Sequence, residues 1–231
     1  MSETASSVSA QREFEARARW ISLVEVMAAW GLIEATIWTY GKTQSHLFWI
    51  SAAFIFVSTI VHRPQLRRLG LGWRGLRSTL WVIPAAAALA GIAILIARAL
   101  GTLHPLFGII GVATHSFAYF IWAIVQQFIL QSYFFLRLER LLSGRAAALA
   151  STILFTLAHI PNPVLVSVCF PAGWAACEIF RRRRNIYALG VAHAILGLTI
   201  AVTVPDHVQR HMRVGIGYFH YHARTEIPPK A

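Results

Sequence analysis

The sequence predicts an all-α, polytopic integral membrane bundle, from its composition, the length of its apolar blocks and the position of its arginines. Of its 231 residues, 57% are hydrophobic and 13% are charged, whereas an ordinary soluble domain carries roughly a quarter charged residues. Several apolar blocks approach the ~20 residues that a helix needs to cross hydrocarbon. Unpaired strand edges are too costly in lipid, so we interpret every block as a helix.

Seven apolar blocks occupy the central part of the chain. They cover residues 20–40, 46–61, 79–100, 115–136, 145–159, 164–180 and 186–204. The last three are short for a full span, so we expect them to be tilted, buried by their neighbours or longer than these bounds. We therefore predict about seven transmembrane helices.

The chain divides into a polar segment, one membrane domain and a polar tail. Residues 1–19 carry mixed charges, and we expect no cleavable signal peptide there. Residues 20–204 form the membrane domain, because no repeat or linker interrupts them. The tail, residues 205–231, is rich in histidine. Its His207, His211, His220 and His222 match no standard metal-ligand spacing.

The connection between the second and third blocks reads RPQLRRLGLGWRGLRS. Its arginines alternate with Leu, Trp and Gly, which predicts an interfacial amphipathic segment lying on the membrane surface. Other arginines also flank apolar blocks, including the run Arg181–Arg184. This pattern is typical of membrane anchoring and contact with anionic lipids, so we exclude nucleic acid as a partner despite the net charge of +12.

Arginine-rich connections follow the second, fourth and sixth blocks, whereas the connections after the third and fifth lack Lys and Arg. The positive-inside rule then places the N-terminus in the cytoplasm. We expect an integral protein of a bacterial inner (plasma) membrane. Seven spans would put the basic tail on the opposite side, in mild conflict with the same rule.

Three glutamines lie in the fourth block, where polar side chains are costly unless they are paired. Gln127 and Gln131 are four residues apart and share a helix face, and Gln126 lies one step round. The cluster indicates a polar pocket. Hydrogen bonding between helices is the alternative interpretation.

Two histidines add to this cluster. His159 ends the fifth block, four residues after Phe155, and the following IPNP sequence must break the helix. We include Asn162 of that sequence among the pocket candidates. His193 lies within the seventh block, and Gly197, one turn later, suits close helix packing.

Three carboxylates could lie at membrane depth. Glu25 and Glu34 are nine residues apart and point to opposite sides of an ideal helix, so they cannot form a pair. Glu178 directly precedes four arginines, which favours a surface ion pair. Any acid-based mechanism must use one of these three groups.

The motifs QQFILQ (126–131), FTLAH (155–159) and HAILG (193–197) resemble, in order and spacing, those of the CPBP family of intramembrane proteases. This family contains CAAX prenyl endopeptidases of the Rce1 type and relatives associated with bacteriocin immunity. The resemblance implies that His159 and His193 orient water and stabilise an oxyanion. Gln126 and Gln127 occupy the catalytic positions, with Gln131, Phe155, Asn162 and Gly197 as pocket candidates.

The chain departs from the family pattern at two motifs. Glutamines replace two adjacent glutamates and an arginine, and Gly197 replaces Asn or Asp. A carboxamide cannot act as a general base, a role that typically contributes about 10² to 10⁴ in rate. Four explanations stay open: a histidine serves as base, another acid such as Glu25 or Glu34 reaches the pocket, hydrolysis is lost, or the glutamines were introduced to inactivate the protein.

We predict an endopeptidase that cleaves a membrane-associated or lipidated peptide, weakened or inactivated by the glutamines. The alternative is a non-catalytic scaffold, assembly factor or binder of a lipid or isoprenoid. A transporter is third, because paired charges along a pathway are lacking. Two histidines with amides are a poor zinc site, so we expect no metal and no cofactor. Membrane lipids and a membrane-bound or lipidated protein are the expected partners.

Overall fold

The computed structural model describes residues 2–62, 64–105 and 109–221. Residues 222–231 of the predicted tail, His222 among them, lie outside the described residues. Every regular element in the described part of the chain is helical, which confirms the predicted all-α class.

The main α-helices are α1 Ser2–Ile37, α2 Lys42–Val61, α3 Val82–Leu100, α4 Ile109–Gln127, α5 Gly144–Leu157, α6 Pro163–Arg183, α7 Tyr187–Thr203, α8 Asp206–Gln209 and α9 Gly215–Phe219. Helix α4 continues as a π-helical segment, Phe128–Phe135, and a last turn, Leu136–Leu138. Short 3₁₀ turns lie at Trp73–Gly75 and Arg210–Met212. The predicted helix break at IPNP is confirmed, because α5 ends at Leu157 and α6 begins at Pro163.

The structure does not confirm a count of seven membrane spans. Among the described residues, five helices are long and apolar enough to cross a membrane: Gln11–Ile37, Lys42–Val61, Val82–Leu100, Ser116–Leu138 and Pro163–Arg183. Helix α7 with its continuation Asp206–Met212 adds a sixth at most, and this pair is bent by 119°. Helix α5, with 14 residues, is shorter than a span.

Helices α1 to α7 nevertheless run alternately between two ends of one bundle. At the first end, Arg19 donates to the carbonyl of Leu141 at 3.3 Å, and Arg184 pairs with Glu139 at 2.7 Å. At the second end, the Thr102 hydroxyl donates to the carbonyl of Thr203 at 2.9 Å. We call these the basic end and the far end, because arginines of α1 and of three connections gather at the first.

The predicted amphipathic segment, described over residues 64–78, is there a loop held against the bundle, without an α-helix. The Ser132 hydroxyl donates to the carbonyl of Leu69 at 2.6 Å, and the amide of Ile186 donates to Gly70 at 3.1 Å. The rings of Trp73 and Tyr187 stack with centroids 5.6 Å apart. The reason is tertiary: Gly70 and Gly75 allow the backbone to approach the end of α6 and its connection to α7 closely, which a continuous helix would prevent.

The tail folds back over the far end after Pro205. The side chain of Asn162 is fully buried and donates to the carbonyls of Gln209, at 2.7 Å, and Arg213, at 3.1 Å. The amide of Gly215 donates to Ile160 at 2.8 Å. The described part of the tail is therefore packed against the membrane domain.

Candidate functional site

A cavity of about 1150 Å³ lies between the helices of the bundle. Most of its lining is apolar, as in most ligand sites, with a few polar groups in fixed positions. The polar side chains that line it from α4, from the chain just after α5 and from α7 include Tyr119, Gln126, Gln127, His159 and His193. Phe155 and Gly197 line it as well. The structure thus brings together the main residues of the three sequence motifs.

A chain of amides connects α4 to α7. The side-chain nitrogen of Gln131 donates to Oε1 of Gln127 at 2.7 Å, so the Gln127 nitrogen is left facing His193. That nitrogen lies 2.9 Å from Nδ1 of His193. Gln127 and Gln131 are both buried. The predicted shared face of these two glutamines is confirmed.

The π-helical segment begins directly after Gln127. Its i to i+5 bonding widens the turn, and such segments occur frequently at functional sites. The segment buries Leu130, Tyr133 and Phe135 completely. Packing of these large side chains on neighbouring helices fixes the rotation of α4, and that rotation sets where its glutamines point.

The partners of the two histidines assign opposite proton positions to them. The Gln127 amide donates to Nδ1 of His193, so the neutral imidazole carries its proton on Nε2. Nδ1 of His159 lies 2.7 Å from the carbonyl oxygen of Phe155, which can only accept. His159 therefore carries its proton on Nδ1 and keeps a lone pair on Nε2.

Both imidazoles are held in place by packing. The rings of Phe155 and His159 have centroids 4.6 Å apart, and those of Phe155 and His193 are 6.3 Å apart. Phe155 therefore packs against both histidines, on His193 edge to face. Chemically, the site offers one nitrogen that can accept a proton and one N–H that can donate a hydrogen bond.

Gln126 occupies a different position from its neighbour. It lines the cavity, and its Oε1 is buried without a hydrogen-bond partner among the described residues. Oε1 of Gln131 is also buried and unpartnered within that part of the chain. A buried acceptor is costly to leave unpaired. Gln126 therefore offers an acceptor to a ligand N–H or O–H group.

Carboxylates are held elsewhere. Glu25 pairs with Nε of Arg137 at 2.8 Å and with His62 at 2.9 Å. Glu34 accepts from the indole of Trp38 at 3.1 Å. In the part of the chain that the structure describes, no hydrogen bond or ion pair joins either glutamate to Gln126, Gln127, His159 or His193.

The ion pair predicted for Glu178 is confirmed, with Arg181 at 2.8 Å and Arg182 at 3.4 Å. Asn162, in contrast, is not among the described residues that line the cavity. Its Oδ1 accepts from the amide of Leu165 at 3.2 Å and caps α6, while its nitrogen binds the tail. Asn162 thus has a structural role, because a helix N-terminus needs an acceptor for its free amides.

Sequence reasoning missed two features. Arg137 is buried and bridges α1 and the end of the α4 region, and it lies one residue beyond the predicted fourth block. Tyr119 lies against Gly197: a Cβ on that glycine would overlap the Tyr119 hydroxyl and lie 2.7 Å from its Cζ. The signal for Tyr119 was the glycine in HAILG, which leaves room for a side chain from another helix.

Among the described residues, no cluster of three or more His, Cys, Asp or Glu side chains is arranged to hold a metal ion. The two site histidines are instead bound at Nδ1 by an amide and a backbone carbonyl.

Comparison with protein families gives a match over part of the chain. The model for "Type II CAAX prenyl endopeptidase Rce1-like" proteins matches residues 108–199, a range that contains all three sequence motifs. No curated protein matches the chain. No solved structure matches it either. The apolar helices and the family match together describe a protein embedded in lipid. The predicted resemblance is confirmed: over residues 108–199, less than half of its length, this membrane protein is similar to the Rce1-like type II CAAX prenyl endopeptidases.

Proposed function

We propose that the protein is an intramembrane endopeptidase that cleaves a membrane-associated or lipidated peptide with a histidine as its general base. The opposite proton positions of His159 and His193, in one cavity, carry this proposal. A hydrolase needs a proton acceptor beside the attacking water and a donor beside the developing oxyanion. The two imidazoles supply one each.

The reaction begins with water between His159 and the substrate carbonyl. Nε2 of His159 takes a proton as the water oxygen bonds to the carbonyl carbon, and the Nε2–H of His193 donates to the resulting oxyanion. The intermediate then collapses, the C–N bond breaks, and the proton on His159 passes to the leaving amine. No carboxylate takes part in these steps.

The glutamines hold this arrangement. Gln127 donates to Nδ1 of His193, so the proton of this imidazole stays on Nε2. Gln131 donates to Oε1 of Gln127 and so fixes the orientation of the Gln127 amide. The free Oε1 of Gln126 accepts from a peptide N–H or from the attacking water. A histidine that acts alone as general base is less effective than a carboxylate and a histidine acting together. We therefore expect slow turnover.

The cavity indicates the class of substrate. Its volume of about 1150 Å³ and mainly apolar lining suit an alkyl or isoprenoid chain or an apolar peptide segment. Charged peptides without an apolar anchor would lose solvation and gain little contact. The substrate is therefore expected to reach the site from the membrane.

The test uses the purified full chain in lipid nanodiscs with a library of prenylated and membrane-inserted peptides, with cleavage products identified by mass spectrometry. We expect slow cleavage that His159→Ala and His193→Ala each lower at least 100-fold. The matched control is His46→Ala, which removes an exposed imidazole of α2. Cleavage that survives His159→Ala, or absence of cleavage by the unchanged chain, would overturn the proposal.

A second candidate is a non-hydrolytic protein that binds a lipid or isoprenoid in the same cavity. The observation that favours it is the absence of a hydrogen-bonded carboxylate at the site among the described residues. This candidate predicts an apolar ligand that stays bound through detergent extraction and is visible by native mass spectrometry. A ligand without peptide cleavage selects it over the hydrolase.

We further infer that the basic end faces the cytoplasm of a bacterial inner membrane, since arginines concentrate there. Arg19, Arg184 and the loop after α2 lie at that end. Single cysteines placed in the loop and in the tail should react with an impermeant maleimide from opposite sides. Labelling of both from the same side contradicts this orientation.

A further inference from the structure

We propose that Tyr119 is a second oxyanion donor, which acts beside His193 and occupies the space that Gly197 leaves open. This inference rests on the proposed function, and it adds a residue that none of the three sequence motifs contains.

The position of Tyr119 is determined by Gly197. A side chain on residue 197 would overlap the phenol oxygen and would bring Cβ within 2.9 Å of two ring carbons. The hydroxyl therefore lies against the backbone of α7, where only glycine permits such an approach. An Asn or Asp at this position would exclude Tyr119 from the site.

Tyr119 also lies beside His193. The two rings meet edge to face, with centroids 6.5 Å apart and planes at 72°. His193 and Gly197 are one turn apart on the same face of α7. A hydroxyl held over Gly197 and the Nε2–H of His193 therefore border the same region of the cavity, which both side chains line.

Among the described residues, no hydrogen bond holds the Tyr119 hydroxyl, so it can act on a ligand. None of the hydrogen bonds that tie Gln127, His159 and His193 to their neighbours involves it. A phenol donates one hydrogen bond, and a second donor strengthens stabilisation of an oxyanion in a mainly apolar cavity. Gly197 and Tyr119 thus form a complementary pair in which one residue supplies the space and the other supplies the donor.

The test measures binding of two probes to the full chain in nanodiscs. Dodecyl phosphonate has an anionic tetrahedral head that imitates the oxyanion, and dodecanamide has the same chain with a neutral planar head. Tyr119→Phe keeps the ring and removes the donor. We expect it to weaken phosphonate binding roughly 10-fold or more, as for loss of a hydrogen bond to a charged group, and to change dodecanamide binding less than about 2-fold.

A rescue variant distinguishes loss of the hydrogen-bond donor from a general loss of packing. Tyr119→Ala should weaken phosphonate binding, and adding Gly197→Asn should restore most of it, because the cleared space then accepts an amide donor. Gly197→Asn alone should lower the melting temperature, since Asn and Tyr119 overlap.

Equal phosphonate binding by the unchanged chain and Tyr119→Phe, together with no rescue by Gly197→Asn, would overturn the role of Tyr119. Peptide turnover by the unchanged chain tests the proposed function separately. A chain that cleaves peptides but binds phosphonate independently of Tyr119 refutes only this inference. A chain that cleaves nothing but loses phosphonate binding in Tyr119→Phe refutes the hydrolase and leaves Tyr119 as a donor to a bound anion.

Discussion

The side-chain nitrogen of Gln127 lies 2.9 Å from Nδ1 of His193, and this contact determines which imidazole nitrogen carries the proton. Gln131 fixes the direction of the Gln127 amide from the other side at 2.7 Å. An amide can donate a hydrogen bond to the imidazole of His193, whereas a carboxylate cannot. The two glutamines are therefore part of a hydrogen-bond network that ends at His193. The proton position that this network sets on His193 can be tested by spectroscopy.

The substitution Gln127→Glu should move the proton on His193. A carboxylate can only accept, so Nδ1 must become protonated and the donor at Nε2 is lost from the neutral ring. Nitrogen-15 NMR of histidine-labelled protein in bilayers measures this change directly. His46→Ala should leave the His193 signals as they are, and an unprotonated Nδ1 in Gln127→Glu would contradict the hydrogen-bond network.

The substitution Gln126→Glu should increase turnover. Its Oε1 already faces the cavity without a partner among the described residues, so a carboxylate there adds a proton acceptor next to the substrate. General-base help contributes about 10² to 10⁴ in rate. The measurement is the peptide cleavage rate, with Gln126→Leu as the control that removes the acceptor. An increase in Gln126→Leu as well would show that polarity at this position is irrelevant.

The substitution Arg137→Met should destabilise the protein. The guanidinium is 6% exposed and pairs with Glu25, so its loss leaves a carboxylate without its main partner. Removing one member of a buried pair typically costs about 3–5 kcal/mol. Equilibrium unfolding in mixed detergent micelles measures the free energy of unfolding. The double variant Glu25→Leu with Arg137→Met should recover much of the loss, and equal loss in both proteins would argue against a coupled pair.

The substitution Gly215→Ala should release the tail from the far end. Gly215 has φ of +53°, and a Cβ there would overlap the carbonyl oxygen of Ile37 and lie 2.7 Å from its carbon. A left-handed conformation alone costs an L-residue about 1–2 kcal/mol. Trypsin should therefore cleave after Arg213 roughly 10-fold faster, because cleavage follows the population of the opened state.

Gly217→Ala is the matched control for the tail. It lies two residues away in the same short helix, and its Cβ would meet atoms of Arg213 only at 4.0 Å. Trypsin should cleave the Gly217→Ala variant after Arg213 at nearly the rate of the unchanged chain. Equal acceleration by both substitutions would show that the cleavage rate does not report the contact between Gly215 and Ile37.

The glutamines and histidines could be found from sequence because each is polar within an apolar block, and lipid makes such positions rare. The spacing of Phe155 and His159 predicted a shared face, and the rings are in contact. Chain length and local composition were less informative about the number of spans, because α5 is too short and α7 bends at Pro205. Whether a helix crosses a membrane depends on its neighbours as well as on its own residues.

The sequence by itself determined an all-helical membrane protein with amides and imidazoles at the ends of three motifs. Tertiary structure alone decided that Glu25 pairs with Arg137 and has no contact with the site. It also decided that Asn162 caps a helix and that Tyr119 packs against Gly197. The physical reason is distance along the chain. Periodicity and spacing describe one helix at a time, whereas contacts between helices depend on their rotation and packing, which a linear pattern does not contain.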